Sequence, residues 1–441
     1  MTMNKNKIKI GVVGLGTVGS GVINLLEKNK AEIEKRSGFS IEVTCVSAAN
    51  KDKKRDCDVS SLKFYNNPLE MIELEDIDII VELMGGESLA KDIVLKALEK
   101  KIHVVTANKA LIALHGNQIS KIAENNKCDV AYEASVAGAV PIIKVIRESL
   151  NANIIHWVAG IINGTTNYIL TEMLKSKKSF GEVLKEAQAL GYAEADPAFD
   201  VGGIDAAHKL TILSSISFGI PLNFNAIYIE GIEDIELVDL NYAKELGYAI
   251  KHLAIGRKNA TGIELRVHPC LIPKSRLLAN VDGVKNAVVV SSDAAGPTLY
   301  YGAGAGSLAT ASSVVSDIID ISRKIIFKSN ASVPLLGYQV DDLKEQNILD
   351  IKEVESRYYL RIRVTNRPGV LAEITKIFGS KSISIESILQ KEDLISDKFV
   401  PIVLVTHTVI EKNIFDALID IEKLDVVKGK IVKIRIEELD S

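Results

Sequence analysis

The sequence predicts an α/β protein in three parts. These are an N-terminal doubly wound parallel sheet of the Rossmann type, a central α+β domain, and a C-terminal ferredoxin-like module in βαββαβ order. Three observations carry this prediction. The chain opens with a strand, a glycine-rich turn and a helix over Lys7 to Val13 and beyond. An acid-rich stretch punctuated by Gly and Pro, Leu190 to Lys209, leads into an apolar helix. The last 85 or so residues form their own strand and helix pattern. At 441 residues the chain exceeds what one core serves, which fits two to three domains.

Composition narrows the class. Apolar residues at 47% and charged ones at 25% are globular proportions, and a net charge of −4 gives no general pull toward nucleic acid. No apolar run approaches the roughly 18 residues of a membrane span. The start MTMNKNKIKIGVVG lacks the apolar core and cleavage site of a signal peptide, so a cytoplasmic enzyme is expected. Cys45, Cys57, Cys128 and Cys270 are scattered as reduced thiols would be, and the histidines form no HExxH or HxH pattern for catalytic zinc.

Taken in order, Lys7 to Val13 alternates and then runs apolar, as a parallel strand buried on both faces does. It feeds Gly14-Leu15-Gly16-Thr17-Val18-Gly19, with helical period from Val18. Alone, GxGxxG is weak; between an N-terminal strand and a helix it is a strong dinucleotide signal, because the glycines let the backbone approach a pyrophosphate at the helix N-terminus. Strand Ile41 to Val46 runs into Ser47-Ala48-Ala49-Asn50 and the largely basic Lys51 to Arg55, with no acid before Asp52 to hold the ribose of NAD. That run suits a 2′-phosphate, so NADP is preferred over NAD. Ile77 to Met84 is an apolar strand ending at Gly85-Gly86, and Ser88 to Lys100 is an amphipathic helix. Strand Ile102 to Val105 delivers Thr106, Ala107, Asn108 and Lys109 at its C-terminal end, where open parallel sheets put their ligands.

Cys128 to Ala134 reads as another strand, continuing into the loop Ser135 to Pro141. Then come a short helix (Ile142 to Leu150), a strand (Ile154 to Ile162), and an amphipathic helix opened by Asn163-Gly164-Thr165-Thr166-Asn167-Tyr168, with Thr165 as its cap. Phe180 to Ala189 is helical. The alternating runs Ala226 to Ile232, Gly262 to Pro269 and Lys285 to Ser291 predict antiparallel strands. A third glycine-rich loop, Gly302 to Ser307, precedes the helix Leu308 to Arg323, and Ile325 to Ser356 is polar and weakly patterned. The C-terminal module has strands at Tyr358 to Val364, Ile383 to Gln390, Phe399 to Thr408 and Lys430 to Glu437, with helices Val370 to Phe378 and Ile414 to Leu424.

The chemistry concentrates between Leu190 and Lys209. Glu194, Asp196, Asp200 and Asp205, with Glu186 just upstream, share the stretch with one lysine, Lys209, while Pro197 and Gly202-Gly203 interrupt regular structure. Asp205 and Lys209 stand four apart on one face of a helix starting at Ile204. A solvated ion pair accounts for that spacing but not for acids crowded into a punctuated loop before an apolar helix. Acids with one lysine suit a small substrate that carries an ammonium group and needs one proton moved.

The run Gly191, Tyr192, Glu194, Asp196, Pro197, Asp200, Gly203, Asp205 and Lys209 resembles the signature of homoserine dehydrogenases, and GIINGTTNYIL over 160–170 resembles a second segment of that family. The resemblance implies reversible NAD(P)-dependent reduction of L-aspartate 4-semialdehyde to L-homoserine, in threonine and methionine biosynthesis. It implies Lys209 as proton donor, Lys109 (following Thr-x-Asn) as the assisting or alternative lysine, and Asp205 as the group that orients Lys209. Glu194, Asp200, Gly191, Tyr192 and Lys109 would line the substrate; Gly14 to Gly19, Thr106, Lys109 and Gly304 would meet the coenzyme. Glu133 and the carbonyls of Val136, Gly138 and Val140 correspond to a monovalent cation site for Na or K. The chain departs from the family pattern at Ala48, where many relatives carry arginine, and at Ala303 and Leu308-Ala309, where proline is usual.

Asn366-x-Pro368-Gly369-Val370-Leu371 resembles the ligand loop of amino-acid-sensing ACT domains, which implies Asn366, Gly369 and Val370 as effector contacts and L-threonine as an effector. The expected division is a dinucleotide-binding domain over 1–140, a catalytic and dimerisation domain over 141–305, a return helix over 306–330, a linker over 331–356 and an ACT domain over 357–441, in a homodimer or tetramer. Two other readings stand beside this one: another amino-acid or oxo-acid dehydrogenase on the same coenzyme fold, and a sensor that binds coenzyme and amino acid without turnover.

Overall fold

Seven residues, Lys7–Val13, form the central strand β1, and the alternation of Ile8, Ile10 and Val12 puts three wholly buried side chains into one core. The structure, a computed structural model, describes residues 7–329, 332–390 and 398–439. Residues 1–6, read above for a signal sequence, and residue 331 at the head of the expected linker lie outside the described residues. The chain divides into two compact units: 1–158 with 207–226 and 285–346, and 159–206 with 227–284 and 347–441.

In the first unit, β1 is joined by β2 (Ser40–Ser47), β3 (Lys63–Tyr65), β4 (Ile79–Glu82), β5 (His103–Thr106) and β6 (Val130–Ala131) in the order β3-β2-β1-β4-β5-β6, and every printed pair is parallel. That is the doubly wound order, in which the progression of strands along the sheet reverses between β1 and β4 while all strands stay parallel, and a ligand crevice opens at the carboxyl ends there. The helices Thr17–Lys28 and Ser307–Phe327 pack on the sheet through Val22, Leu26, Val314 and Ile318.

The expected strand over Cys128 to Ala134 shrinks to the two residues of β6, followed by a 3₁₀ turn at Glu133–Ser135. The reason is side-chain capture. The Glu133 N–H goes to the Asp317 carboxylate at 2.8 Å and the Tyr132 carbonyl turns back to accept from the Ser135 N–H at 2.9 Å, so these backbone groups are not left for a ladder, while the Tyr132 hydroxyl holds the turn through the Leu335 carbonyl at 2.5 Å.

In the second unit, Tyr248–Lys258 pairs antiparallel with Ile263–Pro273 over eleven register positions. The far edge of Ile263–Pro273 is shared by two parallel strands: Tyr228–Ile229 against Arg266 and Val267, and Val432–Ile436 against Cys270 and Leu271. Tyr228–Ile229 therefore departs from the antiparallel expectation, because the helix Leu237–Glu245 carries the chain back before the hairpin begins. The sheet continues antiparallel through Glu355–Thr365, Phe399–Thr406 and Ile385–Gln390.

Alternation along Glu355–Thr365 explains how the C-terminal module is held. Tyr358, Leu360, Ile362 and Val364 face the module's own helices, Val370–Ser380 and Glu411–Glu422. Tyr359 faces the opposite way, into a core with Ile169, Met173, Val183, Leu240 and Leu271. Both faces of this strand are thus covered around Tyr358, Tyr359 and Leu360, and each large apolar side chain so covered contributes about 1.5–3 kcal/mol.

Candidate active site

The coenzyme end of the first unit is shaped by backbone. Gly14 has φ +92°, and a Cβ there would stand 2.6 Å from the Leu83 carbonyl group; at Gly19 it would stand 1.9 Å from the Gly14 oxygen. Gly16 differs, with nothing within 4 Å of such a Cβ. Gly16 also precedes Thr17–Lys28 without any side-chain cap, which leaves the first N–H groups of Thr17, Val18 and Gly19 for an anion. Leu15 is buried behind the loop. These features fit a pyrophosphate. The loop after β2 is closed by Arg55, which donates to the carbonyls of Lys51 and Lys53 at 2.8 and 2.7 Å and stacks over Phe64.

A buried polar chain fixes the end of β5. The Glu82 carboxylate, which burial pushes above the ordinary range, accepts from the Thr106 hydroxyl at 2.6 Å and the Met84 N–H at 2.9 Å. Thr106 in turn accepts from the Asn108 N–H at 3.0 Å, while Asn108 donates to the Gly86 carbonyl at 2.6 Å and caps the following helix at Leu111 N. Lys109 is consequently the first residue of Lys109–Asn126. A cation at a helix N-terminus runs against the helix dipole, a placement that packing alone would not favour.

In the same unit, Gly304 lies where a Cβ would meet the Asn286 amide at 1.9 Å, and Gly138 where one would meet the Gly304 oxygen at 2.4 Å. Glu133 is buried; desolvation, with Asp317 next in weight, pushes its carboxyl up to about 7. Its two oxygens accept from Ile143 N at 2.8 Å and Lys144 N at 2.7 Å, and the Gly138 and Val140 carbonyls accept from the Ser313 hydroxyl (2.7 Å) and Ile142 N (2.8 Å). Each of these oxygens keeps a further lone pair, so the donor set fits a hard monovalent ion. Among the described residues no His, Cys, Asp and Glu group forms a conventional metal site.

The second unit supplies the acids. The strand Ile155–Ile161 delivers Asn163, whose Oδ1 caps Gly164–Ser176 by accepting from Thr166 N at 2.8 Å. Thr165, expected as the cap, lies inside the helix and donates instead to the Tyr192 carbonyl at 2.6 Å and to Asp200 Oδ2 at 3.3 Å. The Asn163 amide donates to Asp200 Oδ1 and to Asp205 Oδ2, both at 2.8 Å. One buried side chain therefore gathers two of the sequence's acids.

The other acids go elsewhere. Glu186 pairs with Lys178, Asp196 caps Ala198 N at 3.1 Å, and the exposed Glu194 sits in a loop tied by Gln188 to the Glu194 carbonyl at 3.0 Å. Gly191 has φ +74°, and the Tyr192 ring meets Tyr168 edge-on at 5.0 Å. Asp205 is buried in the first turn of Ile204–Phe218, and Lys209 follows one turn later on that helix. In the C-terminal module, Gly369 (φ +91°) caps the Val370–Ser380 helix after Asn366, whose N–H donates to the Lys398 carbonyl at 3.1 Å; Val370 is buried.

Family models match most of the chain: homoserine dehydrogenase over 141–319, the homoserine dehydrogenase NAD binding domain over 14–133, and the ACT domain over 358–425. A homoserine dehydrogenase from Pseudomonas aeruginosa is 53% identical, with 98% of this chain and 99% of that protein covered. This chain belongs to the homoserine dehydrogenase family. A crystal structure of a homoserine dehydrogenase from Thiobacillus denitrificans superposes with a TM-score of 0.92 at 50% identity, covering 98% of this chain and 99% of that one. A hyperthermophilic archaeal homoserine dehydrogenase in complex with NADPH superposes with a TM-score of 0.63 at 27% identity, over 72% of this chain and 98% of that one.

The protein is thus an NAD(P)-dependent oxidoreductase that interconverts L-aspartate 4-semialdehyde and L-homoserine, and it carries an ACT domain consistent with feedback control. Neither the other-dehydrogenase reading nor the non-catalytic sensor is favoured by identity at this level and coverage. Among the described residues no helix is long and apolar enough to cross a membrane. Sequence reasoning does not single out Asn163, which donates to Asp200 and Asp205, or Glu82, which anchors Thr106. Their signals were an amide at the carboxyl end of a buried strand and an acid inside the apolar run IDIIVELM.

Proposed function

We propose that Lys209 exchanges the proton at the substrate oxygen, with Lys109 as its assistant, Asp205 as the group that orients Lys209, and Asp200 and Glu194 as holders of the substrate ammonium beside Gly191 and Tyr192. The observation that supports this most is the Asn163 amide spanning Asp200 and Asp205 at 2.8 Å each, one helical turn before Lys209. A neutral amide orients a carboxylate without cancelling its charge, which is what a group that holds an ammonium needs. Bound nicotinamide coenzyme supplies the hydride acceptor or donor. Lys209 takes the hydroxyl proton in the oxidation and returns it to the developing alkoxide in the reduction.

Gly14, Leu15, Gly16, Thr17, Val18 and Gly19, with Thr106, Lys109 and Gly304, hold the coenzyme, and the polar loop after β2 favours NADP over NAD. Glu133 with the carbonyls of Val136, Gly138 and Val140 holds a sodium or potassium ion. We read the chain as a dinucleotide-binding domain over 1–140, catalytic and dimerisation functions over 141–305, a return helix over 306–330, a linker over 331–356 and an ACT domain over 357–441. The enzyme acts in the cytoplasm as a homodimer or tetramer, and L-threonine binds the ACT domain through Asn366, Gly369 and Val370. The test is nicotinamide reduction with L-homoserine, run with each coenzyme, at several sodium and potassium concentrations, and with L-threonine. Equal rates with both coenzymes, no cation dependence or no threonine effect would each remove the corresponding assignment.

A further inference from the structure

One short segment, residues 228–239, touches both the carboxylate loop and the C-terminal module. On the loop side, Ile232 N donates to the Val201 carbonyl at 3.0 Å. At Gly231 a Cβ would stand 2.6 Å from the Val201 oxygen and 2.9 Å from Gly202 Cα, so the two backbones lie in contact. Gly203, with φ +88°, packs on Ile229, His252 and Val267, whose side chains would be 3.1, 3.2 and 3.3 Å from an added Cβ. The buried His252 shares a hydrogen bond through Nε2 with the Glu230 carbonyl at 3.0 Å.

On the module side, the Glu230 carboxylate accepts from Arg435 Nη1 at 3.0 Å and from the Tyr228 hydroxyl at 2.8 Å. Arg435 is fully buried and sets its Nε and Nη2 on Glu411 at 2.7 and 2.5 Å. Asp239, also fully buried, takes Arg361 at 2.7 and 3.0 Å and the Tyr359 hydroxyl at 2.9 Å. Guanidinium forks fix geometry as well as charge, and a close-packed interior transmits a shift instead of absorbing it.

We propose that residues 228–239 are a positioning element for the substrate carboxylates, pinned by Arg435 and Arg361 of the C-terminal module, so that Glu230 and Arg435 set the geometry of Asp200 and Asp205 without touching substrate. This rests on the reading of Asp200 and Asp205 as substrate-side groups. Any rearrangement of the module's sheet that displaces Arg435 displaces Glu230, whose main chain bears on His252 and Val267 and, through them, on the Gly203 turn. The element therefore gives the module a physical route to the active site.

Steady-state kinetics of the full-length enzyme test it with Glu230→Gln, Arg435→Lys, Asp200→Asn and the Glu230→Gln/Asp200→Asn pair. Glu230→Gln and Arg435→Lys should each raise KM for L-homoserine about tenfold with the coenzyme KM unchanged. The double variant should be no worse than Asp200→Asn alone, since two changes on one route are not additive. An unchanged L-homoserine KM in Glu230→Gln, or strict additivity, overturns the proposal provided Asp200→Asn itself raises that KM. If Asp200→Asn leaves KM unchanged, the substrate role of Asp200 falls and this inference with it. Tyr228→Phe removes a single hydrogen bond from Glu230 and carries the same test in the same direction if Glu230→Gln does not fold.

Discussion

The coenzyme end of the first unit and the carboxylate end of the second are built by opposite means. Around Gly14, Gly16 and Gly19 the chemistry is main-chain N–H groups, and the side chains have been removed to let a ligand close. Around Asp200 and Asp205 it is side chains, each oriented by another: Asn163 on both acids, Thr165 on Asp200. The difference teaches where each end breaks. The first fails when atoms are added, the second when a polar partner is taken away.

The largest expected effect tests whether the chemistry belongs to the carboxylate end. Lys209→Ala should lower kcat about 10²–10⁴-fold while coenzyme affinity, measured by fluorescence titration, stays at the wild-type value. Near-normal kcat would move proton transfer to Lys109.

The next concerns the buried charges behind that end. Burial alone would raise the Glu411 carboxyl, but Arg435 and Lys433 overcome it and hold it at about 2, against about 4.3 for an unfolded chain. A depressed folded value stabilises fully above the unfolded one and is lost as pH falls toward about 2, on the order of a few kcal/mol. Denaturant melts between pH about 5 and 2 should therefore be steeper in pH for the wild type than for Glu411→Gln.

Asn163→Ala sharpens the comparison further. It leaves two carboxylates without their shared donor, and kcat/KM for L-homoserine should fall about ten- to a hundredfold with little change in coenzyme KM. The smallest effect belongs to the coenzyme end. Gly16→Ala meets no protein atom within 4 Å, so the thermal midpoint should hold while coenzyme KM rises about tenfold through the lost backbone approach. A wild-type coenzyme KM in this variant would place the pyrophosphate elsewhere.

Much of this was legible in the chain. The strand Lys7–Val13 and the helix Phe180–Ala189 fall where periodicity puts them, because both depend on local pattern and a local cap, here the Ser179 and Glu182 capping box. The strand Tyr248–Lys258 was not read, since its buried Lys251 and His252 interrupt the apolar pattern. Lys251 is satisfied by the Val281 carbonyl at 2.5 Å, Asp282 at 2.8 Å and Asn167 at 3.4 Å, partners 30 or more residues away.

By itself the sequence determined the doubly wound sheet, the glycine loop, the C-terminal βαββαβ module and the stretch that holds the acids, all of them set by short-range spacing. Only the tertiary structure decided which acids share a hydrogen-bond donor. Glu186, Glu194 and Asp196 look equivalent to Asp200 and Asp205 along the chain. What separates them is a single amide, Asn163, 37 and 42 residues upstream, and a buried carboxylate is oriented by whichever donor folding brings to it.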